Sequence, residues 1–207
     1  MEHIKLIYID DKIDPVISKN LSMYHKDDIK VCYDEVKFDL DSGYESLISN
    51  PLVKSANVIL IDSQLFQNST ATNGKYTGEQ FKLILKKIFP YIEVIVITQN
   101  EIPDEFTSTI AKYNSKKGQS ADEYYGKVLN IQIDEAIKRV CEYRAIVADI
   151  KSDPDTSYII DKINNSLDGI DAYDELKKSD IDKIVDLFKE LQEKLDEGLQ
   201  ENLDEGL

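Results

Sequence analysis

Asp10 and Asp11 in the run IYIDDK, and Asp62 in ILIDSQLF, are the residues whose type and setting most clearly suggest chemistry. Each stands where a short β-branched, apolar run stops. Carboxylates gathered in one small pocket repel one another unless a hard cation neutralises them. Mg²⁺ suits oxygen ligands of this kind and retains waters that a phosphoryl group can replace. Such a site also needs a cation for the phosphoryl charge and a hydroxyl that can turn to bond a phosphoryl oxygen. Lys116 and Thr98 fit those needs, and transfer to a carboxylate then depends mainly on in-line positioning and charge neutralisation.

The elements that must position these groups follow from the apolar pattern. Ile4–Ile9, Asn57–Ile61 and Glu93–Ile97 are short runs that end in polar residues, as strands buried on both faces of a parallel sheet do. Ile29–Tyr33 and Thr109–Tyr113 complete five candidate strands. Between them, Thr77–Phe89 carries Phe81, Ile84, Leu85 and Ile88 at helical spacing behind a turn at Gly78. Alternating strands and helices predict an α/β, doubly wound, five-stranded parallel sheet, with its site at the carboxyl ends of the strands beside a topological switch point.

Further along, Ile133, Ile137, Val140, Cys141, Arg144 and Val147 predict a long helix between about Asp122 and Ile150. The turn-rich SDPDTS at 152–157 predicts a boundary between a domain over 1–150 and an acidic helical extension over 151–207. Helical stretches are expected at Ser157–Leu167 and from Asp180 onward. Ile181, Ile184, Phe188, Leu191 and Leu195 form an apolar stripe that wants a partner surface. The chain closes on a repeat, LQEKLDEG at 191–198 and LQENLDEG at 199–206, read as a duplicated, solvated helix end.

Charge narrows the classes of function. The 207 residues hold 40 acidic and 25 basic side chains, for a formal net charge of −15. Residues 151–207 carry −10 of it, leaving −5 for the first 150. Such a surface repels phosphate backbones and anionic lipid, so neither nucleic acid nor membrane is an expected partner. Cys32 and Cys141 have no metal-like spacing, and the apolar run Leu6–Ile9 is too short for a signal peptide, so a cytoplasmic protein is expected. His3 and His25 are the only histidines. Neither sits on a convincing helical site, which points to a separate phosphoryl donor.

Four segments resemble, in order, the signature segments of response-regulator receiver domains: IYIDDK at 7–12, ILIDSQLF at 59–66, VIVITQN at 94–100 and KYNSKK at 112–117. The resemblance spans about residues 3–150 and implies the flavodoxin-like strand order 2-1-3-4-5. It implies Asp62 as phosphoacceptor, Asp11 as direct Mg²⁺ ligand, Asp10 as its water-mediated neighbour and the Gln64 backbone carbonyl as a further ligand. It makes Thr98 the switch hydroxyl, Lys116 the site lysine and Tyr113 the rotating switch aromatic. The chain departs from the family at Lys117, where a proline is usual, and at bulky Gln99 after Thr98. Gln67–Gly78 is also longer than usual and Thr98–Lys116 shorter.

The resemblance implies a two-component signalling protein, not an enzyme beyond self-catalysed phosphoryl acceptance and slow autodephosphorylation. A sensor histidine kinase or phosphotransfer protein would be the donor. Output would run through an effector protein, or through homodimerisation by the C-terminal helices. The alternative is a pseudo-receiver, a non-phosphorylated interaction or kinase-decoy module. A haloacid-dehalogenase-type phosphatase requires an acid two residues after its nucleophile, where this chain has Lys12 and Gln64.

Overall fold

The structure is a computed structural model that describes residues 2–66, 76–99, 108–115, 118–150 and 157–169. Its strands are β1 (Glu2–Asp10), β2 (Ile29–Lys37), β3 (Val58–Asp62), β4 (Glu93–Thr98) and β5 (Thr109–Ala111). All pair in parallel, in the order β2-β1-β3-β4-β5, which is the expected doubly wound, flavodoxin-like order. Every residue of β3 and β4 is buried, which is why both are apolar apart from the polar residues at their ends.

Two strands end two or more residues away from the sequence reading, the other carboxyl ends lying within one residue of it. β2 runs four residues past Tyr33, because its partner β1 continues to Asp10 and pairs with it as far as Lys37. At the edge of the sheet one flank of β2 faces solvent, so Asp34, Glu35 and Lys37 are tolerated there. β5 stops at Ala111, two residues before Tyr113, so Lys112 leaves the strand and stands at its carboxyl end.

Helices cover both faces. On one side, α1 (Pro15–Ser22) and α5 (Ala121–Asp149) pack Ile17, Leu21, Leu129, Ile133 and Ile137 against Leu6, Tyr8, Leu60 and Ile97. On the other, α2 (Glu45–Ser49), α3 (Pro51–Lys54) and α4 (Gly78–Ile88) pack Leu47, Val53, Phe81 and Leu85 against Ile9, Ile61 and Val96. Local chemistry fixes where these helices start. Asp14 caps α1 ahead of Pro15, while Thr77 with Gln80 and Ser120 with Glu123 form capping boxes on α4 and α5.

α5 has 29 residues and, at 1.5 Å per residue, is about 43 Å long, so it outruns the sheet. Its far end holds α6 (Ser157–Leu167) through Val147, Ile160 and Leu167. Arg144 and Asn57 both donate to the Leu167 carbonyl, at 3.0 and 2.9 Å. Among the described residues, α6 therefore belongs to the same compact unit as the sheet. The second unit, 174–207, lies outside the described residues, as do the Ile181–Leu195 stripe, the terminal repeat, Lys116 and Lys117. Among the described residues no helix is long and apolar enough to cross a membrane.

Candidate functional site

The chain passes from β1 outward to β2 and then back across β1 to β3, so the topological switch lies between β1 and β3. Asp10 ends the first of these strands and Asp62 the second. Both are buried. Leu60 and Ile97 face α1 and α5 while Ile61 faces α4. Strand alternation therefore puts Asp62 on the α1/α5 side, with Asp10.

Asp62 is held at both oxygens. The Gln64 backbone N–H donates to Oδ1 at 2.8 Å, and the Lys112 ammonium donates to Oδ2. Asp62 is the more enclosed partner of this ion pair, its side chain 7% exposed against 23% for Lys112. Lys112 is the site residue that the sequence reading missed. With β5 drawn through to Tyr113, Lys112 counts as a strand interior residue. The usable signal was the apolar run stopping at Ala111, which makes Lys112 the polar residue at a strand end. Lys116, given that role from the sequence, lies outside the described residues.

Asp10 is likewise occupied. The Tyr8 hydroxyl donates to its Oδ2 at 2.5 Å and the Lys12 N–H to its Oδ1 at 3.1 Å. Burial pushes the Asp10 carboxyl up to about 6, against the two hydrogen bonds, with Asp11 and the charge of Asp62 adding to the rise. Burial also drives the Tyr8 phenol far above its ordinary range, so it is present as the neutral donor. Asp11 is half-buried and contacts Asp10. Tyr8 was missed because a tyrosine in an apolar strand reads as core, and most of its ring is.

The Thr98 hydroxyl, at the end of β4, accepts from Ser63 Oγ at 3.0 Å, both residues being buried. The Thr98 carbonyl accepts from Lys112 N at 2.6 Å, which ties the lysine's backbone to β4. Tyr113 stands on the rim. Its N–H donates to the Tyr125 hydroxyl, its own hydroxyl to the Gln119 carbonyl, and its ring packs on Tyr124 and Tyr125. A cleft of about 610 Å³ opens at Lys112, walled also by Tyr113, Gln99, Asp14 and Tyr125 among others.

Gly78 explains how closely α4 approaches the site. A Cβ there would sit 2.6 Å from Ser63 Cα and 2.8 Å from the Asp62 carbonyl oxygen, and the Gly78 N–H donates to Ser63 O at 2.8 Å. Only a residue without a Cβ fits.

Burial and the neighbouring acids raise the Asp10 carboxyl, a cost that a hard divalent cation would relieve. The arrangement is one in which Lys112 and Tyr8 take up the acid oxygens. Among the described residues no three His, Cys, Asp or Glu side chains converge to hold a metal ion.

The molecule is thus a doubly wound, flavodoxin-like α/β domain with paired acids and a lysine at its switch-point end. No protein-family model and no curated protein matches the sequence. Solved structures do align with it. A two-component transcriptional regulator AraC from Clostridium phytofermentans is 16% identical, covering 69% of this chain and 98% of that one, with a TM-score of 0.38. The RcsB response regulator of Salmonella typhimurium, from a structure concerned with DNA interaction, is 17% identical over 82% and 91%, with a TM-score of 0.40. Likenesses at this level carry no functional argument for this chain; the fold stands on its own strand order.

Proposed function

We propose that this chain is a receiver-type phosphoacceptor whose acceptor is Asp62. The observation that carries the reading is the buried Asp62 carboxylate facing Lys112, on the same side of the switch point as Asp10. An Asp62 oxygen attacks the phosphorus of a phosphohistidine or small acyl phosphate. The P–N or P–O bond breaks with its electron pair leaving on the donor, and an aspartyl phosphate forms. Lys112 is placed to shift from the carboxylate to the new phosphoryl oxygens, and Gln64 N–H holds the attacking group in line. Mg²⁺ would require Tyr8 and Lys112 to give up their acid oxygens first; Asp10, Asp11, Asp62 and the Gln64 carbonyl would then be its ligands, and it would supply charge neutralisation between acids and phosphoryl group.

Adding nearly two negative charges at the end of β3 biases the surface around Thr98 and Tyr113. The acidic balance of the chain, −10 of it after residue 150, favours output through protein contact over DNA. A histidine kinase or phosphotransfer protein in the cytoplasm is the protein donor of this reading.

A second reading, a non-phosphorylated interaction module, is favoured by the closed arrangement in which Tyr8 and Lys112 occupy the acids. Intact mass after incubation with Mg²⁺ and acetyl phosphate separates the two. The phosphoacceptor reading requires a phosphoryl adduct on the wild type that Asp62→Asn lacks while remaining folded. If neither acetyl phosphate nor a histidine donor gives that adduct, the interaction module stands.

A further inference from the structure

Ser63 joins three elements beside the acceptor. Its N–H donates to the Ile97 carbonyl of β4 at 2.8 Å, its carbonyl accepts from Gly78 N at the start of α4 at 2.8 Å, and its hydroxyl donates to Thr98 Oγ1 at 3.0 Å. The last bond links two buried hydroxyls, out of reach of competing water. It also lies on the far side of the sheet from the acceptor. Val96 faces α4 and Ile97 faces α1 and α5, so alternation places Thr98 on the α4 side and Asp62 on the other; Ser63, in the turn after β3, meets Thr98 and the start of α4 there.

We propose that Ser63 is a resting-state latch on Thr98. Its hydroxyl holds the Thr98 side chain on the α4 side of the sheet, and phosphorylation of Asp62 has to break that bond before Thr98 can turn to a phosphoryl oxygen. The inference rests on the phosphoacceptor reading above and adds a positioning residue to it. Sequence alone offers no reason to single out Ser63, since a serine after a strand reads as an ordinary turn residue. It is the side chain's position between β3, β4 and α4 that makes it a hold. Because the Ser63 carbonyl is bonded to Gly78 N, the latch is also anchored to the helix that would feel its release.

A latch resists the phosphorylated form by about the net strength of its hydrogen bond, so its removal should tighten binding of a phosphoryl mimic about two- to tenfold. The test is calorimetric titration of the full chain with beryllofluoride and Mg²⁺, using wild type, Ser63→Ala, Thr98→Ala and the double variant. Ser63→Ala should bind more tightly than wild type. The same change should have no effect when Thr98 is already alanine, because there is nothing left to hold. In unliganded Ser63→Ala the Thr98 methyl resonance should move toward its beryllofluoride-bound position, which a merely structural serine would not cause. Should Ser63→Ala fail to fold, Ser63→Cys keeps the volume with a weaker donor and carries the same comparison.

Unchanged or weaker binding by Ser63→Ala, or an equal gain in the Thr98→Ala background, overturns the latch alone. Absence of Asp62-dependent beryllofluoride binding in the wild type overturns the phosphoacceptor reading, and the latch with it.

Discussion

Lys112 reaches Asp62 across an intervening strand. β4 lies between β3 and β5, so the two strand ends stand two interstrand spacings apart, about 10 Å, and the lysine side chain closes that gap at the carboxyl end of the sheet. That reach is possible because β5 ends at Ala111 and leaves the lysine free to lie over the strand ends.

Removing this lysine should be costly. Breaking a fully buried pair by deleting one partner costs about 3–5 kcal/mol, and the partial exposure of Lys112 lowers the expectation for Lys112→Ala to about 2 kcal/mol. Urea midpoints at pH 7 check the stability, and intact mass after acetyl phosphate checks acceptance. Lys112→Ala should abolish the adduct and Lys116→Ala should leave most of it. The reverse pattern would return the role to Lys116.

The acid pair makes stability depend on pH in a defined direction. The Asp10 carboxyl rises from 3.8 to about 6 on folding, so between those values the folded state binds more protons than the unfolded one. Stability in chelator should therefore fall as pH climbs from about 4 to 6 and stay lower above it. Asp10→Asn should flatten that slope and be more stable than wild type at pH 7, by on the order of 2 kcal/mol. Thermal melts at pH 4 to 8 in chelator provide the measurement.

Gly78 sets the seating of α4 against the acceptor loop. A Cβ would meet the backbone of Asp62 and Ser63 rather than a flexible side-chain end. Gly78→Ala should cost about 1–3 kcal/mol and shift the Asp62 and Ser63 amide resonances, whereas unaltered resonances would mean that α4 is free to move aside.

The α6 dock predicts a separable effect at the other end of the sheet. Asn57 is buried, accepts from Lys5 N at 3.0 Å and donates to the Leu167 carbonyl. Asn57→Ala leaves these groups unmatched, at a cost of about 1–3 kcal/mol. It should expose α6 to limited proteolysis while leaving the Asp62 adduct intact. Gly169→Ala should loosen the same dock, since Gly169 has φ +66° and a Cβ there would lie 2.4 Å from the Ser55 carbonyl.

The sheet and most of its acids were legible in the sequence because they depend on local pattern. A strand buried on both faces must be an unbroken apolar run, so β1, β3 and β4 announce themselves. The polar residues that end them, Asp10, Asp62 and Thr98, fall at the carboxyl edge by necessity. The helix starts were equally local, since Thr77 and Ser120 cap their own chains.

Contacts between distant segments were not legible in this way. Which lysine meets Asp62 depends on where β5 leaves its ladder with β4, and that is a property of pairing and not of the run TIAKY. Tyr8 and Ser63 are ordinary core and turn residues in sequence. They become the partners of Asp10 and Thr98 only when strand register brings one hydroxyl to each. The extent of the first unit likewise depended on Asn57 and Arg144 catching the end of α6 from far along the chain. The sequence by itself determined the strands, the layered α/β class and the polar residues at the strand ends, because hydrophobic period acts over a few residues. Tertiary structure alone decided the lysine, the hydroxyl partners and the reach of the first unit, because each is a hydrogen bond or contact between segments that the local pattern does not relate.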